Sequence, residues 1–331
     1  MIISKTPFRI SFFGGGTDYP PYYRQHGGSV LATSIDKYCY ISCRHLPPFF
    51  DHKFRIAYSK IENAASIDDI QHPAVRGVLN EFGIERGLEI HHDGDLPARS
   101  GLGSSSSFVV GLLNALYALK GKYSPKMALA TGAIHIEQNV LKEAVGSQDQ
   151  VSAAFGGFNR IDFHEDDTFS VRPIIVDGAR RARLDENLLL FFTGITRFAS
   201  PVAKRKIENF DKKSVELQKM KDMVSHGIDI IGDQDRPLSD FGELLNLAWM
   251  YKRELAQGVT NSEIDSFYDK AIKAGAIGGK LLGAGGGGFI LFYVEEDRRQ
   301  SVIDALAPLV HVPFRFESEG SSIAVYQPEA S

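Results

Sequence analysis

The stretch DLPARSGLGSSSS, Asp95 to Ser107, constrains this chain more than any other. Before it, Leu88, Ile90 and His92 alternate with Glu89, His91 and Asp93, the period of a half-buried strand. After it, Phe108, Val109, Leu112, Leu113, Leu116 and Leu119 recur at helical spacing. The chain therefore runs strand, glycine loop, helix. A helix N-terminus carries unpaired N–H groups and the positive end of the dipole, and glycines let the backbone come close to a ligand. Together these make an anion site. A helix cap needs one serine, not four behind Gly-Leu-Gly. The Walker loop is excluded because its lysine is missing, and the dinucleotide fingerprint because Ser106 stands where its third glycine belongs. On these residues alone a phosphate cradle and a structural cap both stand.

Composition narrows the class. The 331 residues are 43% hydrophobic and 24% charged, enough for two closely packed domains. A net charge of −4 offers no basic face, so neither nucleic acid nor an anionic membrane is expected as a partner. No apolar run reaches the roughly 18 residues of a membrane span. The start, MIISKTPFRISFF, lacks the apolar core of an export signal. Cys39 and Cys43 have no second pair. We expect a cytoplasmic protein with reduced thiols and no zinc site.

Residues 2–13 are expected as a strand, and SVLATSIDKYCYISCRH as one or two more. Helices are expected over 125–145, stopped by Gly146 as its C′ residue, and over 201–225, 239–256 and 262–274. The tail from Lys280 reads strand, helix, strand, strand. The expected domains are 1–175 and 176–331, divided where HEDDTF and DGARRAR break the pattern. Ser147-Gln-Asp-Gln150 reads as a capping box, with Asp149 in a first helical turn. His91, His92 and His135 read as structural.

Three further stretches bear on the glycine loop. PFRISFFGGGTDYP puts Arg9 in a strand and Asp18 just past a glycine turn, EAVGSQDQVSAAFGG puts Asp149 after a helix end, and KLLGAGGGGF is a third glycine turn leading into a strand. With PxxxGLGSS, these motifs resemble, in order from residue 7 to residue 288, the GHMP kinases, the family of galactokinase, homoserine kinase, mevalonate kinase and phosphomevalonate kinase. The resemblance implies an α+β protein with the GHMP kinase fold. Its N-terminal domain would be of the ribosomal-protein-like type and carry the ATP loop, its C-terminal domain would be ferredoxin-like, and the active site would lie in the cleft between them.

The resemblance also implies roles. ATP and Mg²⁺ are the implied cofactors. Pro97, Gly101, Leu102, Gly103, Ser104, Ser105 and Ser106 would hold the nucleotide, and Glu137 with Ser105 the metal, Ser104 and Ser106 being the other candidates. Asp149 would be the base, since a sugar hydroxyl is a poor nucleophile until a carboxylate takes its proton. Arg9 would match that charge and stabilise the transition state. Asp18, Thr17 and Tyr19 would contact the sugar, with Gly285 and Gly286 beside them in a loop that Lys280 helps to shape.

The first motif is nearest to the sugar kinases. Pro7, Arg9, Gly14, Thr17, Asp18 and Tyr19 match galactokinase spacing, but galactokinases carry Glu-His where this chain has Gly15 and Gly16. The FGGGTDYP form resembles the heptose kinases of the family. That implies phosphorylation of the anomeric C1 hydroxyl of D-glycero-D-manno-heptose 7-phosphate, on the way to a nucleotide-activated heptose for polysaccharide. Arg197 in TGITRFAS would meet the phosphate of such a substrate; Lys204 and Arg205 read as a solvated face. An unphosphorylated sugar of the fucose or galactose type is the alternative acceptor. A silent sugar and ATP sensor is the alternative class, against which Asp149, Glu137 and the serines speak. The implied partner is a small-molecule sugar phosphate, and assembly is left open, a homodimer included.

Overall fold

The computed structural model describes residues 1–98, 101–195 and 199–328. The strands in chain order are β1 (Ile2–Phe13), β2 (Gly28–His45), β3 (Phe54–Ala57), β4 (Ile61–Ala64), β5 (Leu88–Gly94), β6 (Phe158–Phe163), β7 (Phe169–Pro173), β8 (Leu188–Phe192), β9 (Gly278–Leu281), β10 (Phe289–Tyr293), β11 (Val310–His311), β12 (Phe316–Glu317) and β13 (Ser322–Tyr326). The helices are α1 (Pro20–His26), α2 (Pro73–Glu81), α3 (Ser104–Leu119), α4 (Lys126–His135), α5 (Gln148–Phe155), α6 (Gly178–Glu186), α7 (Ala199–Glu208), α8 (Ser214–Gly232), α9 (Ser239–Glu254), α10 (Ser262–Ala274) and α11 (Arg299–Ala305).

A nine-stranded sheet forms around β1 and β2, which pair antiparallel from Ile2↔Cys43 to Phe13↔Leu31. β2 is a single long strand whose other edge takes β6 along its first half and β5 along its second. β1 is buried along almost its whole length, so its polar and apolar residues do not alternate in exposure. The cause is cover on both faces: α3 packs on one, α8 and α9 on the other. Phe12 and Phe13 meet Phe241 of α9 edge-on at 5.3 and 5.0 Å. This contact brings the motif-bearing end of β1 up to the second half of the chain. There β11, β8, β10 and β9 form a four-stranded antiparallel sheet whose core is Trp249, Tyr268, Phe292 and Val302.

Several expectations are met closely, β1, α9 and α10 among them. Three differ. The helix over 125–145 stops sooner: α4 runs into a π-helical turn at Ile136–Val140, and Lys142 then takes a φ of 54°. Gly146 is not its stop. A Cβ there would lie 1.9 Å from Asp18 Oδ2, so Gly146 serves close approach to the Asp18 loop. The charged stretch 201–225 splits into α7 and the start of α8, with the Asn209 amide donating to the Leu255 carbonyl at the break (3.1 Å). The tail returns: β12 pairs with β2 and β13 with β1, so residues assigned to the second half complete the first sheet. No helix among the described residues is long and apolar enough to cross a membrane.

Candidate active site

The glycine loop ends at Gly103, the N-cap of α3, which takes the left-handed conformation (φ 78°) and has no side chain to cap the helix. Leu102, fully buried, anchors the loop, and its carbonyl accepts from the Arg9 amide at 3.1 Å. Behind it sits the third glycine turn: a Cβ at Gly283 would lie 2.4 Å from the Cα of Gly101. Gly286 N–H donates to Val259 O at 2.9 Å, so Gly285 and Gly286 shape this backing turn. Pro97 is exposed on the approach.

Arg9 and Asp149, 140 positions apart in sequence, meet beside the loop. Arg9 Nε donates to Asp149 Oδ1 at 2.8 Å, and Nη2 lies 2.6 Å from the same oxygen. Both contacts fall on Oδ1, so the pair does not consume Oδ2. Arg9 Nη1 donates to the Gly101 carbonyl at 3.0 Å, tying the pair to the loop. The Arg9 side chain is 4% exposed and that of Asp149 28%, so the carboxylate is the accessible partner.

Asp149 stands in the first turn of α5, but no capping box holds it. Ser147 makes no side-chain cap, because its hydroxyl accepts from Gln138 Nε2 at 3.0 Å, and Gln150 is turned to Glu137 instead. The cap comes from Asp18, whose Oδ2 accepts from Gln148 N–H at 3.4 Å and whose backbone carbonyl accepts from Ser147 N–H at 2.9 Å.

Asp18 is 1% exposed, and its Oδ1 accepts from Gly16 N–H at 2.8 Å. Burial pushes its carboxyl pKa up, and Asp149 adds to that. Thr17 is fully buried, and its hydroxyl serves the turn, reaching the carbonyls of Gly14 and Ser29 at 2.8 and 2.9 Å. It braces the motif and does not line the cleft. Tyr19 packs on Phe210 at 5.6 Å, and burial, with Asp18 and Asp149, raises the pKa of its hydroxyl, which stays a proton donor.

Glu137 is wholly buried in the π-helical turn, a backbone form frequent at functional sites. Its Oε2 accepts from Ser106 Oγ at 2.7 Å and from Gln150 Nε2, while Oε1 has no partner. Burial pushes its pKa up to about 7. The serine that reaches Glu137 is Ser106; Ser105, expected there, is exposed, and Ser104 is intermediate. A buried carboxylate oxygen without a donor, beside a serine of the glycine loop, is a hard oxygen set that fits Mg²⁺.

Three buried lysines complete the surroundings. Lys280 Nζ donates to the carbonyls of Ser11 and Phe12 at 3.1 and 2.6 Å, holding β9 to the end of β1. Lys252 Nζ donates to Leu281 O and Gly283 O, both at 2.6 Å, holding the glycine turn. Burial lowers both ammonium pKa values, that of Lys280 to about 7, and neighbouring cations add to this. The third is Lys206 of α7, 5% exposed. Sequence reading passed over Lys206, inside the charged stretch 201–225, and Lys252, inside the helix expected over 239–256. The signal was their phase: Lys206 falls between Val202 and Phe210, and Lys252 between Ala248 and Leu255, on apolar stripes. Arg197 lies outside the described residues.

The fold and this loop define a class. The GHMP kinases N terminal domain model matches residues 70–157, and the GHMP kinases C terminal model matches 234–309. The chain belongs to the GHMP kinases and is a phosphotransferase with an alcohol group as acceptor. Among its relatives is the D-glycero-alpha-D-manno-heptose 7-phosphate kinase of Campylobacter jejuni, 31% identical over 323 residues, 92% of this chain and 93% of that one. The galactokinase of Pyrococcus furiosus is 27% identical, covering 92% of each chain. The crystal structure of a D-glycero-D-manno-heptose 1-phosphate kinase from Bacteroides thetaiotaomicron superposes with a TM-score of 0.80 at 26% identity, covering 99% of this chain and 100% of that one.

Proposed function

We propose that the chain transfers the γ-phosphoryl group of ATP to the anomeric C1 hydroxyl of D-glycero-D-manno-heptose 7-phosphate, giving the 1,7-bisphosphate and ADP. The observation that carries the reading is the Arg9–Asp149 pair beside the glycine loop, with the carboxylate accessible and Oδ2 outside the pair. Asp149 takes the proton of the C1 hydroxyl as its oxygen forms a bond to the γ-phosphorus. The bond from that phosphorus to the β,γ-bridging oxygen breaks, and ADP carries the electron pair away. Arg9 balances the charge that shifts onto Asp149 and the phosphoryl oxygens.

The nucleotide phosphates would lie along Gly101–Gly103 and the first turn of α3. Glu137 Oε1 and the Ser106 hydroxyl would hold Mg²⁺, in place of the Ser105 expected from sequence. The ion, when bound, neutralises charge on the phosphate oxygens. Asp18 would act by holding the start of α5, and so the position of Asp149. Gly15 supports a phosphorylated acceptor: where galactokinases carry a carboxylate this chain has none, which removes a charge that would repel a phosphate. The names of the two heptose kinase relatives agree on the sugar and differ on the phosphate.

Magnesium-dependent ADP release with a sugar panel tests this: heptose 7-phosphate, the free heptose, mannose, fucose and galactose. Turnover confined to heptose 7-phosphate is expected. Turnover confined to a plain sugar would keep the kinase and remove the phosphorylated acceptor.

A further inference from the structure

Four cations are buried around the cleft: Arg9, Lys206, Lys252 and Lys280. Three have acceptors, Arg9 on Asp149 and the Gly101 carbonyl, the two lysines on backbone carbonyls. Lys206 differs. Among the described residues, none accepts a hydrogen bond from its ammonium, and none of the carboxylates makes an ion pair with it. The acid whose field favours its charge is Asp18, and both Asp18 oxygens already serve backbone amides. Burial pushes the Lys206 pKa down to about 8, so its charge is held at a cost.

Nothing in the packing of α7 asks for that cost. Val202 and Ala203 are buried one turn before Lys206 on the same helix, Phe210 is buried just past its end, and an apolar residue at 206 would continue that stripe. A largely buried charge without a protein acceptor is destabilising, and beside the acids of a candidate active site a ligand can supply the counter-charge that the protein does not. The charges are not matched at Lys206: Arg9 pairs with Asp149, whereas the acid beside Lys206 is Asp18, whose ionisation is itself disfavoured by burial. The missing component is an anion. ATP has its own cradle at the glycine loop, and Lys252 and Lys280, the other lysines within reach of Lys206, are held by backbone carbonyls; the acid within reach of Lys206 is Asp18, in the turn that precedes Tyr19.

We propose that Lys206 is the specificity-determining cation that receives the phosphate monoester already carried by the sugar. The inference rests on the sugar-phosphate kinase reading above and adds the side chain that selects for the phosphate. No bond is made or broken at Lys206; it binds and orients.

The test uses the full chain with Lys206→Met, which keeps the aliphatic stem, and Lys206→Arg, which keeps the charge. With heptose 7-phosphate varied at saturating MgATP, Lys206→Met should raise KM by about one to two orders of magnitude, the scale of a lost charge-assisted hydrogen bond. kcat should stay within about threefold, and Lys206→Arg should recover part of the loss. The melting temperature of ligand-free Lys206→Met should equal or exceed that of the parent, because an unpartnered charge has gone; a merely structural lysine would lower it. A second readout needs no turnover: inorganic phosphate is titrated calorimetrically into protein saturated with a non-hydrolysable ATP analogue, and binding should weaken at least about tenfold in Lys206→Met. Unchanged phosphate binding and unchanged sugar KM would overturn the assignment, as would a rise confined to the KM for ATP. Phosphate binding that depends on Lys206 in a protein that turns over none of the sugars would overturn the kinase substrate and leave the Lys206 assignment standing.

Discussion

Asp149 and Glu137 lie on neighbouring segments that pack together and face the same glycine loop, yet they are built in opposite ways. Asp149 is partly open, matched by a guanidinium on one oxygen and free of that pair on the other. Glu137 is sealed, fed by a hydroxyl and an amide on one oxygen and orphaned on the other. The open, charge-matched acid suits a proton that arrives and leaves with each turnover. The sealed one, with an oxygen that lacks a donor, suits a cation. On the proposed reading, environment gives the two carboxyl groups different tasks.

Substitutions that keep shape and remove charge separate the two roles. Asp149→Asn should give the largest effect, a fall in kcat of about a thousandfold, within the range for a positioned general base. Nucleotide affinity, read by fluorescent ATP-analogue titration, should move less than threefold, because the glycine loop proposed to hold the phosphates keeps its sequence. Glu137→Gln should cost about a hundredfold in kcat/KM and shift the Mg²⁺ titration to higher concentration. Equal shifts of the Mg²⁺ midpoint in both variants would erase the distinction between the acids. Arg9→Lys keeps the charge and loses the fork that also grips Gly101, and should cost about tenfold in kcat, with ATP affinity falling too.

Asp185 supplies the control and the smallest effect. It is a buried carboxyl away from the loop, 3.5 Å from Arg315, with Oδ1 unpartnered and a pKa pushed up from 3.8 to about 6, chiefly by burial. An orphan oxygen and a raised pKa therefore do not by themselves mark a site; Glu137 is set apart by the serine of the glycine loop. Because the folded pKa lies above the unfolded one, the folded protein binds the extra proton. Stability should fall as pH rises from about 4 to 6, and the loss should be complete at pH 7. Asp185→Asn should flatten that part of the denaturation-versus-pH curve and raise stability at pH 7 by about 1–2 kcal/mol, leaving kcat unchanged.

Much of the site was legible because its motifs are local. β1 and the strand–glycine–helix unit follow from period and turn chemistry within a dozen residues. What sequence could not supply is pairing across the chain. Gln150 fits a capping box locally, but in the fold its amide has a better partner in a buried carboxylate, so the cap passes to Asp18. The resemblance points to Ser105 ahead of Ser104 and Ser106; in the fold, the phase of α3 against the π-helical turn puts Ser106 on Glu137 and leaves Ser105 exposed. Lys206 reads as one more charge in KRKIENF until its helix packs inward. The tail strands β12 and β13 are too short and too distant in sequence from β1 and β2 for their destination to be read.

The central claim is best tested by phosphorus NMR of the protein incubated with MgATP and D-glycero-D-manno-heptose 7-phosphate. A second sugar phosphorus signal, split by the anomeric proton and growing as the γ-phosphate signal disappears, is the expected result. A sugar that keeps one phosphorus while ATP stays intact, or a new ester on a carbon other than C1, would contradict the account.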